Sequence, residues 1–187
     1  FEYDEQTYNY YGTYSFTGTK IEQAVVTAIL NVTTDDKVVV DMIKGNNEQD
    51  YSSLKTLLEN NAYQVNEVSL ATGDFDSNAK IAIMYAPSVD LDEKIVEKLS
   101  TWLSNDGKYG RSLIYVPTAD MGEMPNLDDF LKEWGMSIDR GYVFETDEST
   151  LVSASSPYAF TVSYGDYYKD NLKNSKIPVV VSESHAV

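Results

Sequence analysis

The stretch VVVDMIKGNNEQDYSSLKTLLENNAYQV, residues 38–65, decides the fold. Val38 to Ile43 is a near-continuous apolar run, which suits a strand covered on both faces, as in a parallel sheet. Lys44-Gly45 ends the run and a polar cluster, Asn46-Asn47-Glu48, follows. Residues 50–61 then place Tyr51, Leu54, Leu57 and Leu58 on one side of a helix, with Asn60-Asn61 as a polar stop. Residues 63–70 alternate in the manner of a strand nearer a sheet edge.

The same alternation continues outward in both directions. Towards the C-terminus, AKIAIMYA (79–86) reads as a central strand closed by Pro87. Asp90 and Glu93 are expected to cap a helix reaching about Ser104, with Leu91, Ile95, Leu99, Trp102 and Leu103 on its inner face. Asn105-Asp106-Gly107 ends that helix, residues 112–116 form a strand before Pro117, and Asn126 is expected to cap a short helix that Gly135 ends. Tyr142-Val143-Phe144-Glu145 reads as a further strand.

Towards the N-terminus, Ile21, Ala24, Val25, Ala28, Ile29 and Val32 make one apolar helical stripe, and Thr19 with Glu22 has capping-box spacing. Residues 1–18 are tyrosine-rich and read as an arm or edge strands. Residues 146–187 hold strand patterns at 159–162 and 178–181 and a helical turn at 167–172, expected to extend the sheet. The whole chain, 1–187, reads as one α/β domain: three layers, α/β/α, around a mostly parallel sheet.

Composition narrows the function. The 187 residues carry 14 Lys and Arg against 30 Asp and Glu, a net charge of −16. That field repels phosphate backbones and anionic lipid, so nucleic acid is not an expected partner. Cysteine is absent, which removes disulfides, thiolate nucleophiles and cysteine zinc sites. The single histidine, His185, lies on a tail expected to be poorly ordered and is read as incidental. No window approaches the roughly 20 apolar residues of a membrane span. The chain opens at Phe1 and is read as an excised domain or processed product, with any tether outside it.

In open α/β sheets, ligands bind beyond the carboxyl ends of the strands. The loops at 45–50, 86–90, 117–126 and 71–78 qualify. Gly45, Asn46, Asn47 and Glu48 lack the glycine spacing of a phosphate loop; they suit a turn and can also contact a ligand. Pro87 and Ser88 stand at a strand-to-helix elbow without the glycines of a serine hydrolase. Asp74, Asp76 and Asn78 open like a calcium loop, but Ala79 and Tyr85 occupy its glycine and glutamate positions. Asp90, Asp92, Glu93, Asp128 and Asp129 sit where helix dipoles favour acids. Asn31-Val32-Thr33 matches a glycosylation acceptor but lies in an expected helix.

The segments TGTKIEQAVVTAILNVTTDDKVVV, LKTLLENNAYQVNEVSL, AKIAIMYAPSVDLDEKIVEKLSTWLSNDG and MPNLDDFLKEWGMSIDRGYVFE, in this order, resemble a family: the auxiliary, gliding-motility-type components of ABC transporters. The resemblance runs through most of residues 12–145. Members commonly have Gly-His-Gly-Glu where this chain has Gly45-Asn46-Asn47-Glu48, so Gly45 and Glu48 alone carry over. What the resemblance implies is a fold like flavodoxin and the class I glutamine amidotransferases, without the catalytic cysteine. It also implies a place outside the cytoplasmic membrane, held by membrane helices beyond this chain, beside a permease and an ATPase. The expectation is a non-enzymatic accessory domain that binds a partner protein or an unknown ligand at Gly45, Asn46, Asn47, Glu48, Pro87 and Ser88, with no cofactor or metal. A carboxylate-dependent hydrolase and a carbohydrate- or cell-wall-binding module are the alternatives.

Overall fold

The computed structural model describes residues 2–4, 15–18, 21–118, 120, 122–171 and 178–187, with the backbone alone for 2–4, 15–18 and 171. Two short strands, β1 (Glu2–Asp4) and β2 (Ser15–Gly18), pair antiparallel near the N-terminus. The tyrosines at 8, 10, 11 and 14 and the Thr19 cap lie outside the described residues.

Four strands form the central sheet: β3 (Val39–Ile43), β4 (Gln64–Val68), β5 (Ile81–Tyr85) and β6 (Ser112–Val116). Their order is β4-β3-β5-β6 and every pairing is parallel. The apolar run of residues 38–43 predicts a strand covered on both sides, and all five β3 residues are buried. The alternating residues of β4 fit its place at the edge, half-buried at best.

From β3 the chain moves outward to β4, then back past β3 to β5 and on to β6. Crossovers of one hand running in opposite directions put their helices on opposite faces. Accordingly α2 (Ser52–Asn60) brings Tyr51, Leu54 and Leu58 against Val40, Met42 and Ile83 on one face. On the other face, α3 (Glu93–Ser104) and α4 (Pro125–Glu133) bring Ile95, Leu99, Trp102, Leu127, Phe130 and Leu131 against Val39, Ile43, Ala82 and Met84. Each fully buried Leu, Ile, Phe or Met contributes about 1.5–3 kcal/mol, so this second cluster dominates the hydrophobic stabilisation.

The helix caps differ from the sequence expectation. Asp92, with extended backbone, caps α3 by accepting from the Lys94 N–H at 2.9 Å. Asp90 reaches forward to α4 instead: its carboxylate accepts from Asn126 N at 3.0 Å and Leu127 N at 3.1 Å. Asn126 is therefore inside α4, whose cap position is Met124 with Pro125 in the first turn. A cap supplied from 36 residues away could not be read from local spacing.

The β4-to-β5 connection, residues 69–80, carries no helix. Three anchors hold it where a helix would otherwise pack. Lys98 donates to Leu70 O at 2.9 Å and Gly73 O at 2.6 Å and pairs with Asp74 at 2.9 Å. Phe75 stacks on Trp102, ring centroids 4.5 Å apart. Asp41, wholly buried in the middle of β3, accepts from Asp76 N at 2.7 Å and from Asn66 Nδ2 at 3.0 Å. The calcium-like spacing of Asp74, Asp76 and Asn78 thus serves a pinned loop.

Beyond α4 the expectation of an extended parallel sheet fails. Tyr142 makes one isolated bridge, to His185, and residues 142–145 form no strand. Strands β7 (Leu151–Ser153), β8 (Ser156–Val162) and β9 (Val179–Ser182) build a separate antiparallel sheet in the order β7-β8-β9. The short helix α5 (Asp166–Asn171) lies between β8 and β9. The patterns at 159–162 and 178–181 identify strands correctly, but a hairpin turn at 154–155 makes neighbouring strands antiparallel, and no pattern within one strand states which sheet it joins.

α1 (Ile21–Thr33) forms over the predicted stripe, yet none of its residues is buried. Ile21, Val25, Ile29 and Val32 are 57, 52, 54 and 81% exposed. Its polar side meets α2, where Thr27 Oγ1 donates to Asn60 O at 3.0 Å.

The Asp41 anchor yields a stability prediction. Asp41→Ala leaves the Asp76 N–H unpaired under a loop with no helix of its own, and is expected to cost about 3 kcal/mol. Asp41→Asn keeps one acceptor and costs less. Urea unfolding of the three proteins, compared at constant m-value, checks the order.

Candidate functional site

The carboxyl ends of β3 and β5 are where the sheet order reverses, the position at which open α/β sheets hold ligands. All six residues singled out from the sequence converge there. Gly45, Asn46, Asn47 and Glu48 follow β3; Pro87 and Ser88 follow β5.

Gly45 has φ +117°, a backbone that favours glycine, and a Cβ there would lie 3.3 Å from Ser69 Oγ, a tight contact. This turn directs the N–H groups of Gly45 and Asn46 onto one point. The Glu48 carboxylate occupies that point, accepting from Gly45 N at 3.0 Å and Asn46 N at 3.0 and 3.1 Å. Convergent backbone donors of this kind cradle anions; here the anion is the chain's own.

Asn46 is 5% exposed and ties the two loops together. Its side-chain amide donates to Asp90 O at 3.0 Å and Val89 O at 3.4 Å, and its main-chain carbonyl accepts from Ser88 N and Val89 N, both at 3.1 Å. Asn47 Nδ2 donates to Ser88 Oγ, and Ser88 Oγ donates to Asn47 O at 3.0 Å. Gln49 N donates to the carbonyl of Ala86, a buried non-glycine residue at φ +47°. Such a backbone costs of order 1–3 kcal/mol and persists only where its surroundings hold it; the Gln49 contact and the Ala86 N–H to Val116 O bond, 2.7 Å, do so here. Pro87 is buried beneath the junction.

The crevice is thus closed by its own polar groups. Ser88 has an amide and a carbonyl for neighbours, and its hydroxyl proton goes to Asn47 O. The carboxylates of the next loop are also engaged: Asp90 on α4, Asp128 on Arg140 at 2.6 Å and Asp129 on Lys132 at 2.9 Å. Among the described residues, no three acidic or histidine side chains gather as metal ligands.

Concave surface lies at the opposite edge, where the strands begin. A cavity of about 480 Å³ is walled by Phe75, Lys98, Trp102 and Arg111, and a groove of about 770 Å³ passes Lys37, Lys80 and Arg111. Arg111 lies 5.4 Å over the Trp102 ring and donates to Trp102 O at 2.8 Å. Phe75, Trp102 and Arg111 therefore form a stack that seals the end of the core. Of the loops singled out from the sequence, 71–78 reaches this side, with Asp74 and Asp76 lining the cavity and Asn78 the groove; Lys98 and Arg111 were not read as site residues, although Arg111 just before a strand was visible.

Electrostatics mark two tyrosines. Burial pushes the Tyr115 phenol up to about 12, helped by the Asp128 charge and opposed by Arg140; among the described residues its buried hydroxyl has no hydrogen-bond partner. Burial, then the Glu67 carboxylate, pushes Tyr51 up to about 12 as well. Glu67 itself is held below the usual carboxylate range, chiefly by Lys55 at 3.6 Å and also by Lys44 at 3.6 Å.

No family model, no curated protein and no solved structure matches the chain.

Two predictions follow from this geometry. Asn46→Ala removes the amide that donates to Asp90 O and Val89 O, while the Ser88 and Val89 N–H groups keep the main-chain carbonyl of residue 46; losing that side-chain link is expected to cost about 2 kcal/mol. Ser88→Ala, losing an exposed hydroxyl, costs under about 1 kcal/mol by the same measure; chemical denaturation separates the two. For the tyrosines, the folded values lie above the unfolded value near 10. The unfolded chain therefore loses those protons first, and stability falls as pH rises from about 10 to about 12. Titration at the phenolate absorbance band is expected to show a late fraction that disappears in the Tyr51→Phe, Tyr115→Phe double variant.

Proposed function

We propose that this chain is a non-enzymatic accessory domain of an ABC-type transport system, standing outside the cytoplasmic membrane and docking on a protein partner. The scaffold is read as the three-layer, flavodoxin-like arrangement shared with class I glutamine amidotransferases. The reversal of strand order at β3 and β5, and the division of α2 from α3 and α4 between two core clusters, support that reading. Fold likeness transfers no activity, and the chain has no cysteine to serve as the amidotransferase nucleophile.

The observation that carries the proposal is α1. Its thirteen residues include one charged side chain, Glu22, in a chain of net charge −16. Its apolar stripe stands in solvent along its length, with Val25 and Ile29 more than half exposed. Contiguous apolar surface of this kind marks a docking face. The closed junction at Asn46 and Ser88 favours a partner for this face over a small ligand in the crevice. The engagement of Asp90, Asp128 and Asp129 weighs against hydrolysis by paired carboxylates. The partner is the permease of the transport system, beside which a membrane tether outside this chain would hold the domain.

These 187 residues hold no cysteine, so an introduced one is unique within them. A photo-crosslinker on a cysteine introduced at Val25 or Ile29 of the full-length protein, in its native membrane, is expected to join the permease. The same probe at Glu133, on α4, is not. Equal labelling from both helices, or a hydrolytic activity that survives charge substitutions on α1 and is lost on substitution of Asp90, would overturn the proposal.

A further inference from the structure

The amino edge of the parallel sheet gathers positive charge in a chain of net charge −16. Lys37 stands two residues before β3, Lys80 directly before β5 and Arg111 directly before β6, and these three strands are neighbours. Lys80 N donates to Val39 O at 3.4 Å and Ser112 N donates to Lys80 O at 2.9 Å. The ladder therefore sets Lys80 and Arg111 side by side, their backbones about 5 Å apart. Two residues on, Ala82 and Leu113 face the core beneath α3. The strand period of two puts Lys80 and Arg111 on that same face. All three cations line the groove of about 770 Å³. Arg111 also walls the cavity of about 480 Å³ with Phe75 and Trp102, and Ser77 and Asn105 belong to both, so groove and cavity adjoin.

The fold does not use these donors up. Ion pairs among the described residues involve Lys44, Lys55, Lys98, Lys132 and Arg140, not Lys80 or Arg111. Arg111 gives Nη1 to Trp102 O and keeps the rest of its fork, the geometry that matches a carboxylate. Lys37 reaches a neutral oxygen, Asn31 Oδ1, at 2.7 Å. A second observation comes from the cavity wall. Trp102 is 6% exposed, and its indole N–H, which can only donate, has no hydrogen-bond partner among the described residues. A buried donor left in that state is costly, and an acceptor on a molecule in the cavity would relieve it.

We propose that the amino edge of the sheet is a binding site for a small carboxylate with a flat apolar body: its carboxylate meets Arg111 and Lys80, and its body lies in the cavity against the Phe75 and Trp102 wall. The acids of the cavity set the charge of the ligand. Asp74 is paired with Lys98, and Asp76 accepts from Asn78 N at 2.8 Å, but Glu97 and Asp106 stand exposed at the rim. Their field tolerates one negative charge held by two cations and opposes a dianion such as a phosphate monoester. The apolar side of the wall sets the body, since small-molecule sites join apolar lining to a few placed polar groups. This site lies at the other end of the sheet from the Asn46 junction and does not depend on the docking face of α1.

The chain has two tryptophans, Trp102 and Trp134, so two indole N–H resonances report on it, and Trp134→Phe assigns them. On titration with 2-naphthoate, the Trp102 resonance is expected to shift and to saturate at about millimolar concentration or below. Trp134 lines neither depression, and its resonance is expected to stay in place. Lys80→Gln alters a side chain with no hydrogen bond or ion pair among the described residues, so the fold is kept while binding weakens roughly tenfold. The neutral analogue 2-naphthylmethanol is expected to lose about as much. Acetate, which lacks the apolar body, is expected not to saturate, and 2-naphthyl phosphate is expected to bind no more tightly than 2-naphthoate. No saturable Trp102 shift with 2-naphthoate, unchanged affinity in Lys80→Gln, equal binding of the neutral analogue, saturation by acetate alone, or tighter binding of the phosphate would each overturn the assignment.

Discussion

A carboxylate without solvent exposure, in the middle of a central parallel strand, is an expensive thing to fold around, and the parallel sheet is organised to make Asp41 tolerable. Parallel strands need cover on both faces. α3 and α4 cover most of one face, but the crossover from β4 to β5 brings no helix to complete it. The loop at 69–80 takes that place, and a bare loop over a sheet brings backbone polar groups that must be satisfied. Asp41 meets that demand from below, Lys98 from the side, and the stacked Phe75 and Trp102 supply the apolar cover. Replacing Asp41 with an apolar residue would remove the charge and strand the loop.

The same economy governs the carboxyl edge. The sheet order reverses between β3 and β5, which in other α/β proteins opens a crevice. Here Asn46 bridges it, Glu48 occupies the convergent amides that could hold an anion, and Ser88 is engaged by Asn47. The strained backbone at Ala86 belongs to this closure, since its carbonyl takes the Gln49 N–H. Residues whose types promise ligand contact are spent on holding two loops together. What remains unspent is the apolar face of α1, which is why the proposed docking surface lies there and not over the sheet.

The sequence alone determined the parallel sheet, because that follows from periodicity. Runs such as 38–43 and 79–86 can be satisfied only by strands buried on both faces, and the amphipathic stretches between them require helices. It determined equally that the loops after β3 and β5 lie together, since alternating strands and helices force them to one edge. Negative charge and the absence of cysteine also needed no fold.

Only the tertiary structure decided how polar groups were shared, because hydrogen bonds between distant segments leave no periodic trace. Asp90 caps a helix 36 residues away, Asp41 serves Asp76, and His185 reaches back 67 residues to Thr118. The fate of the C-terminal strands was decided in the same way. Their alternation marks them as strands, but joining the parallel sheet or forming another depends on the turn geometry and on which edge is free. For α1, periodicity gives an apolar stripe and says nothing about whether anything covers it.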